Sequence, residues 1–158
     1  LHILSTSSGI PSENIMLLVA GNSDSLFKSL PYDIKYIGFL SNDEQLASVY
    51  KASDIFVCPS IEDAGPMMIN QSIMTGTPVV SFEMGVASDL VITGQTGYRA
   101  KLKDSADLAK GLNTILSLSE NEYLQMKDNC RKLALELYQP GVVKKQFNQI
   151  INNHETAK

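Results

Sequence analysis

ASDIFVCPSIEDAGPMMINQSIMTGTPVV, residues 52–80, holds in order an apolar run, an acidic loop, a helical segment and a second apolar run. Pro59 ends the first apolar run, and Pro78 opens the second. Pro66 suits the first position of a helix, where its missing N–H costs nothing, and Gly76 is a residue type that commonly ends one. Short apolar runs bounded by glycine and proline are typical of strands covered on both faces. The stretch therefore predicts a strand–helix–strand unit of a parallel sheet, with the helix over residues 67–75.

The same alternation continues along the rest of the chain. Further helices are predicted over residues 42–52, where Ser41 and Glu44 have capping-box spacing, and in three segments after Lys103. Alternating strands and helices with short loops predict a parallel sheet wrapped by helices, with right-handed crossovers. The expected fold class is therefore α/β, a Rossmann-like doubly wound parallel sheet with extra C-terminal helices. The five predicted strands are residues 15–20, 34–38, 54–58, 78–82 and 97–100.

The composition is that of a globular chain, which we expect to form a single domain over residues 1–158. Hydrophobic residues make up 44% and the net charge is −4, which does not favour a nucleic-acid-binding protein. No apolar run reaches the ~20 residues of a membrane-spanning helix. The start at Leu1 has neither an initiator Met nor a signal pattern, as expected for a cut inside a longer protein. Cys58 and Cys130 lie in apolar patterns, which favours buried free thiols in a reducing cytoplasm over a disulfide.

The acidic loop is the first candidate for chemistry, because open α/β sheets bind ligands outside the carboxyl ends of their strands. Gly65 lets a ligand come close to the backbone. The free N–H groups of Met67 and Met68, at the start of the helix, favour an anion such as phosphate. Asp63 can accept hydrogen bonds from hydroxyl groups, and Gln71, about two turns into the helix, can reach another hydroxyl.

Several candidates have a simpler alternative. Glu62 and Asp63 can serve only as caps of the helix. Residues 21–25 follow a strand and can approach a phosphate, but a plain turn explains them equally well. The methionines at positions 67, 68 and 74 are interpreted as core packing rather than as a ligand surface. His2 and His154 match no catalytic pattern and are interpreted as surface residues.

Residues 52–60, ASDIFVCPS, match a pattern "aDvfvlPS", and residues 71–80, QSIMTGTPVV, match "EAMacGtPVV". Both patterns belong to the retaining GT-B glycosyltransferases of family 4, group 1 type, which this chain therefore resembles. Matching that family's Glu-x7-Glu motif puts Asp63 at the first glutamate and Gln71 at the second, with Pro66 on the proline of an E-G-x-P variant. The likeness covers roughly residues 1–118 and includes residues 19–22, 36–40, 85–91 and 94–97, with Asp89 in place of a usual glutamate.

The resemblance implies a fold, an activity and a set of site residues. The chain would be the C-terminal, donor-binding half of a GT-B fold, and it would bind a UDP- or GDP-linked sugar without a metal or other cofactor. In similar enzymes the first acid contacts the donor sugar, the backbone N–H groups after it hold the diphosphate, and the second acid binds the ribose. Asp63 is thus the expected catalytic residue. The expected substrate-binding residues are Gln71, Ala64, Gly65, Pro66, Met67, Met68, Gly38, Phe39, Leu40, Gly21, Asn22, Ser60, Gly85, Val86, Asp89, Glu62 and Asn70.

The resemblance also implies partners that lie outside this sequence. A glycan or lipid-linked acceptor would bind through an N-terminal domain, and an arginine and a lysine that contact phosphate would precede Leu1. The expected context is bacterial polysaccharide or glycolipid biosynthesis, such as capsule assembly, in the cytoplasm, with peripheral membrane association of the full-length protein. The isolated chain is expected to have little or no transferase activity.

Two departures from the motif leave alternatives open. Asp63 is one methylene shorter than glutamate. Gln71 lacks the charge that strengthens a hydrogen bond from about 0.5–1.5 to about 1.5–3 kcal/mol. Glu62 and Asn70 have the same spacing and form an alternative pair. A non-catalytic or degenerate nucleotide- or sugar-binding module is the alternative function.

Overall fold

The computed structural model describes residues 10–21, 27, 29–62 and 67–155. Strands and helices alternate through most of this part of the chain, and the C-terminal third is helical. The strands are β1 (Met16–Ala20), β2 (Asp33–Gly38), β3 (Phe56–Cys58), β4 (Val79–Phe82) and β5 (Gly97–Ala100). The helices are α1 (Asp43–Ala52), α2 (Met67–Thr75), α3 (Ala87–Leu90), α4 (Ser105–Leu116), α5 (Glu120–Tyr138) and α6 (Pro140–Glu155), and a short 3₁₀ turn covers Ser12–Asn14.

All strand pairs among the described residues are parallel. β1 pairs with β2, and β4 lies between β3 and β5 in a second, three-stranded sheet. The connections from β3 to β4 and from β4 to β5 run through α2 and α3. Parallel strands connected by helices confirm the α/β fold class with Rossmann-like parallel sheets. Because parallel strands share one direction, Ala20 and Gly38 end at one edge of the first sheet, and Cys58, Phe82 and Ala100 end at one edge of the second.

Helices cover both faces of the three-stranded sheet, as the alternation of its buried side chains shows. Cys58 and Val79 point to one face, whereas Val57 and Val80 point to the other. The first face packs against Ile69, Ile73, Ala87, Leu90, Cys130 and Ala134. The second face packs against Leu112, Ile115 and Met126, and the same cluster takes in Ile15, Leu17 and Tyr32 beside the first sheet. Each of the large apolar side chains buried there stabilises the fold by about 1.5–3 kcal/mol.

A close approach of backbone to backbone fixes the start of β5. A Cβ built on Gly97 would lie 1.9 Å from the carbonyl oxygen of Val79, so only glycine fits where β5 meets β4. The turn before it is held by Thr96, whose buried hydroxyl donates to the Leu90 carbonyl at 2.6 Å and accepts from the Ile92 N–H at 2.8 Å.

Two buried hydroxyl groups fasten α1 and α2 to the beginning of β4. The Thr77 hydroxyl donates to the Tyr50 carbonyl at 2.7 Å, and the Ser72 hydroxyl donates to the Thr77 carbonyl at 2.9 Å. Both residues are fully buried, so these bonds satisfy groups that would otherwise be costly to bury. The end of α1 is therefore held in a fixed position against α2.

Some local expectations need correction. Asn42, not Ser41, caps α1: the Asn42 side chain accepts from the Glu44 N–H at 2.7 Å, so the predicted box of Ser41 and Glu44 is wrong. A capping box does form at the start of α5, between Ser119 and Glu122. The expectation of buried free thiols is confirmed, since Cys58 and Cys130 are both buried and unbridged.

The apolar residues Val143, Phe147 and Ile151 of α6 are not part of the core. All three are exposed. No helix in the described part of the chain is long and apolar enough to cross a membrane.

Candidate functional site

Two glycines come together where β1 and β2 end. The Gly21 N–H donates to the Gly38 carbonyl at 2.7 Å, and both residues have positive φ, 94° and 69°. A Cβ built on either would meet no atom of the described residues within 4 Å. Phe39, which follows at once, has 80% of its surface exposed, and Leu40 is half-buried. This edge thus places the side-chain-free backbone of Gly21 and Gly38 beside the exposed ring of Phe39. The expected binding residue Asn22 lies outside the described residues.

The end of β3 leads toward the acidic loop. Ser60 is half-buried, and the Cys58 thiol lies 3.8 Å from its hydroxyl oxygen. Glu62 is exposed at the end of the described segment. The expected catalytic Asp63 and three of the expected binding residues, Ala64, Gly65 and Pro66, lie outside the described residues.

Two methionines begin α2 with their side chains largely in solvent. Met67 is 69% exposed and Met68 46%, and Met74, at the other end of the helix, is 43% exposed. The interpretation of these methionines as core packing is therefore wrong. The buried face of α2 is formed instead by Ile69, Ser72 and Ile73, whose spacing fills one side of a helix.

Gln71 has a protein partner on the preceding helix. The Tyr50 hydroxyl donates to Gln71 Oε1 at 3.4 Å. Burial raises the pKa of Tyr50 to about 12, and the nearby Cys58 adds to that rise. The hydroxyl therefore keeps its proton at neutral pH and acts as a donor toward the amide. Asn70, by contrast, has a buried side-chain oxygen with no hydrogen-bond partner among the described residues. Gln71 and Asn70 belong to the two alternative pairs and both lie on α2. Each therefore remains a candidate for a ligand contact.

The turn after β4 contains an exposed glycine in the left-handed region. Gly85 has φ +49° and is exposed, and Val86 is half-buried at the N-cap position of α3. Asp89 lies inside the first turn of this helix, whereas Val86 is at its N-cap. The Asp89 carboxylate is exposed.

Arg99 on β5 contacts residues on both sides of this turn. The sequence analysis did not identify Arg99 as a site residue. Its guanidinium donates to the Ser88 carbonyl on α3, and its Nε lies 3.9 Å from Glu83 Oε1. The backbone N–H of Arg99 donates to the Thr93 hydroxyl at 3.0 Å. A positive charge is thus placed next to the turn that Gly85 opens. The signal available in the sequence was a single arginine inside a short predicted strand, which is too common to be diagnostic.

Tyr50 is the second residue that sequence reasoning missed. Helical spacing from Leu46 indicates only a position on the apolar face of a helix for this tyrosine, and its buried ring fits that role. Its contact with Gln71 joins residues 21 positions apart, and helical periodicity carries no information on such a pair.

The described contacts therefore bring together Gly21 with Gly38, and Gln71 with Tyr50. The remaining expected site residues that the structure describes lie on loops and helices that follow strand ends, and their roles toward a ligand stay predictions. Open α/β sheets bind their ligands at this edge, formed by the carboxyl ends of the strands.

A family model described as glycosyl transferases group 1 matches residues 7–133 of this chain. The chain is 29% identical over 129 residues to a D-inositol 3-phosphate glycosyltransferase of Corynebacterium efficiens, covering 75% of this chain and 30% of that protein. It is 24% identical over 128 residues to an uncharacterized glycosyltransferase of Haemophilus influenzae, covering 78% of this chain and 36% of that protein. The chain thus spans about a third of the length of these curated relatives.

Solved structures share the fold. A sucrose-phosphate synthase from Thermosynechococcus elongatus superposes with a TM-score of 0.76 at 20% identity, over 99% of this chain and 42% of that one. The Anabaena protein HepE, solved in complex with UDP-glucose, gives a TM-score of 0.64 at 22% identity, over 78% of this chain and 33% of that one.

Proposed function

Because the chain belongs to the glycosyl transferases group 1 family, we propose that it forms the donor-binding part of a retaining glycosyltransferase that uses a nucleotide-diphosphate sugar. The observation that carries the proposal is the edge formed by Gly21 and Gly38, two half-buried residues joined by a 2.7 Å hydrogen bond beside the exposed Phe39. A bare backbone next to a free aromatic face suits a ligand that has both a polar and a flat part. The UDP-glucose bound to HepE, which shares this fold, supports a uridine nucleotide as the first donor to test.

Each part of the donor has a proposed partner. Phe39 and the backbone of Gly38 lie against the base, and Gln71 contacts the ribose. The N–H groups of Met67 and Met68, at the start of α2, hold the diphosphate, because a helix N-terminus favours an anion. Asp63 contacts the donor sugar. Arg99 keeps the Gly85 turn in place for the same ligand, and its charge adds to the attraction for phosphate.

The reaction we propose needs no metal. Backbone N–H groups and the helix start stabilise the negative charge that develops on the leaving diphosphate, which is the step where fixed dipoles are most effective. The leaving diphosphate then helps to deprotonate the acceptor hydroxyl, and the sugar is transferred with retention of configuration.

The wider context follows from the same proposal. We propose transfer of a hexose to a glycan or lipid-linked acceptor that binds to a part of the protein beyond this sequence. Bacterial polysaccharide or glycolipid synthesis in the cytoplasm, for example of capsule, with the protein at the membrane surface, is the proposed setting.

Calorimetric titration of the intact protein with UDP, GDP and ADP tests the binding part of the proposal. We expect one of these nucleotides to bind, with UDP favoured. Release of UDP from UDP-glucose tests the catalytic part, and Asp63→Ala should reduce it by at least about tenfold. Glu62→Ala is the matched variant, one residue away with the same charge removed. A larger loss with Glu62→Ala than with Asp63→Ala would support the alternative pair of Glu62 and Asn70.

A second function, a degenerate module that binds nucleotide or sugar without turnover, is favoured by one observation. Gln71 and Asp63 stand where the family's motif has two glutamates. Tight nucleotide binding by the intact protein, with no release of UDP from UDP-glucose and no effect of Asp63→Ala, would establish this function instead.

A further inference from the structure

Tyr50 is held rigidly at the end of α1. Its side chain is buried, with 6% of its surface exposed, and its ring packs edge-on against Phe56 with centroids 5.3 Å apart. Its carbonyl accepts from the Thr77 hydroxyl at 2.7 Å, which fixes the backbone as well. The one polar group of this side chain, the hydroxyl, lies 3.4 Å from Gln71 Oε1.

A buried hydroxyl proton needs an acceptor, because an unpaired buried donor loses its hydrogen bond to water and gains none in return. Gln71 Oε1 is that acceptor. Burial raises the pKa of Tyr50 to about 12, so the proton stays on the tyrosine at neutral pH. A glutamine amide has one acceptor oxygen and two N–H donors. When the oxygen faces the tyrosine, the NH₂ group faces away from it.

We propose that Tyr50 is a positioning residue that orients the Gln71 amide, so that the NH₂ group of Gln71 donates to the ribose diol of the nucleotide. The inference rests on the proposed function, since it assigns to Gln71 the ribose of the donor. A glutamate in this position would present acceptors to the diol, whereas a glutamine held by its oxygen presents donors. Tyr50 thereby makes a neutral side chain effective in a position where the family's motif has an acid.

The test compares two ligands that differ only in the diol. Binding of UDP and of 2′,3′-dideoxy-UDP to the intact protein is measured by calorimetry for the wild type and for Tyr50→Phe. The wild type should prefer UDP, and Tyr50→Phe should reduce that preference by roughly threefold to tenfold, the worth of one neutral hydrogen bond. Gln71→Ala should abolish the preference, and adding Tyr50→Phe to Gln71→Ala should change nothing further.

Phe56→Leu is the control for an indirect effect of packing. It disturbs the ring that supports Tyr50 but leaves the hydroxyl, so it should lower stability while the preference for UDP is kept. If Tyr50→Phe weakens both ligands equally, or leaves the preference unchanged, the positioning role is wrong and the proposed function stands. If the wild type binds both ligands equally, the ribose role of Gln71 is wrong, and the inference with it. If the wild type binds none of UDP, GDP and ADP, the proposed function fails and takes the inference with it.

Discussion

Gly97→Ala should be the most damaging single-methyl substitution that the described backbone allows. The new Cβ would lie 1.9 Å from the Val79 carbonyl oxygen and 2.8 Å from the Val79 backbone carbon and nitrogen. A carbon–oxygen contact normally needs roughly 3.3 Å, so β4 and β5 would have to separate by roughly 1.4 Å. The hydrogen bond from the Val79 N–H to the Thr96 carbonyl, 3.2 Å long, lies at the same point and would break.

The cost can be estimated from these contacts. Overpacking of a core costs about 1–3 kcal/mol where side chains can move aside, and the obstructing atoms here are backbone atoms of a central strand. The lost hydrogen bond adds about 1 kcal/mol. We therefore expect Gly97→Ala to lower the free energy of unfolding by about 3 kcal/mol or more, a large part of the roughly 5–15 kcal/mol available to a domain.

Urea unfolding followed by circular dichroism measures this loss, with two glycines as matched controls. A Cβ at Gly141, in the first turn of α6, meets nothing within 4 Å, so Gly141→Ala should be neutral or stabilising by up to about 1 kcal/mol. Gly94 also has open space but a φ of +81°, so Gly94→Ala should cost only about 1 kcal/mol. A Gly97→Ala protein within about 0.5 kcal/mol of the wild type, with an unchanged dependence on urea, would refute the close approach of β4 and β5.

Three further outcomes are expected. Thr96→Val removes a buried hydroxyl that pairs with two backbone groups, so the free energy of unfolding should fall by about 1–3 kcal/mol in the same urea assay; no change would mean that those groups find other partners. The Lys101 N–H, which donates to Asp107 at 2.8 Å, holds the pKa of that carboxyl below its usual range. Its stabilisation is therefore present above about pH 4 and lost as the pH falls through the folded value, and Asp107→Asn should flatten this acid limb of a stability–pH profile. Cys58 and Cys130 are buried, and burial raises the pKa of Cys130 to about 12, so a thiol reagent such as DTNB should label the native protein only as fast as it unfolds; rapid labelling would contradict the burial.

Glycine and proline made much of the fold predictable from sequence. The predicted bounds of β5 and α2 agree with the observed bounds, Gly97–Ala100 and Met67–Thr75, because a glycine begins the strand and another ends the helix. The predicted strand at residues 54–58 is longer than the observed Phe56–Cys58. The Asp54 carbonyl accepts instead from the Tyr123 hydroxyl at 3.0 Å, a contact across 69 positions that no local pattern contains.

Errors arose where neighbouring residues were equally suited to a role. Ser41 and Asn42 can both cap a helix, and only the backbone path shows that Asn42 does so. The methionines of α2 are apolar at positions that helical spacing alone cannot assign to the inner or outer face. Their exposure follows from the way Ile69 and Ile73 fill the space against β4, which is a property of packing between elements.

The neutral Gln71 changes two free-energy terms of opposite sign. Loss of the charge weakens a hydrogen bond to a ligand hydroxyl by about 1 kcal/mol or more. A half-buried carboxylate, however, would lose part of its hydration in the unliganded protein, and a neutral amide avoids this cost. The Tyr50 hydroxyl removes a further cost, since it fixes the amide before a ligand arrives and so reduces the entropy lost on binding. The glutamine thus departs from the family's motif in charge while its surroundings compensate through desolvation and orientation. Under the proposed function, the substitution is for this reason compatible with donor binding.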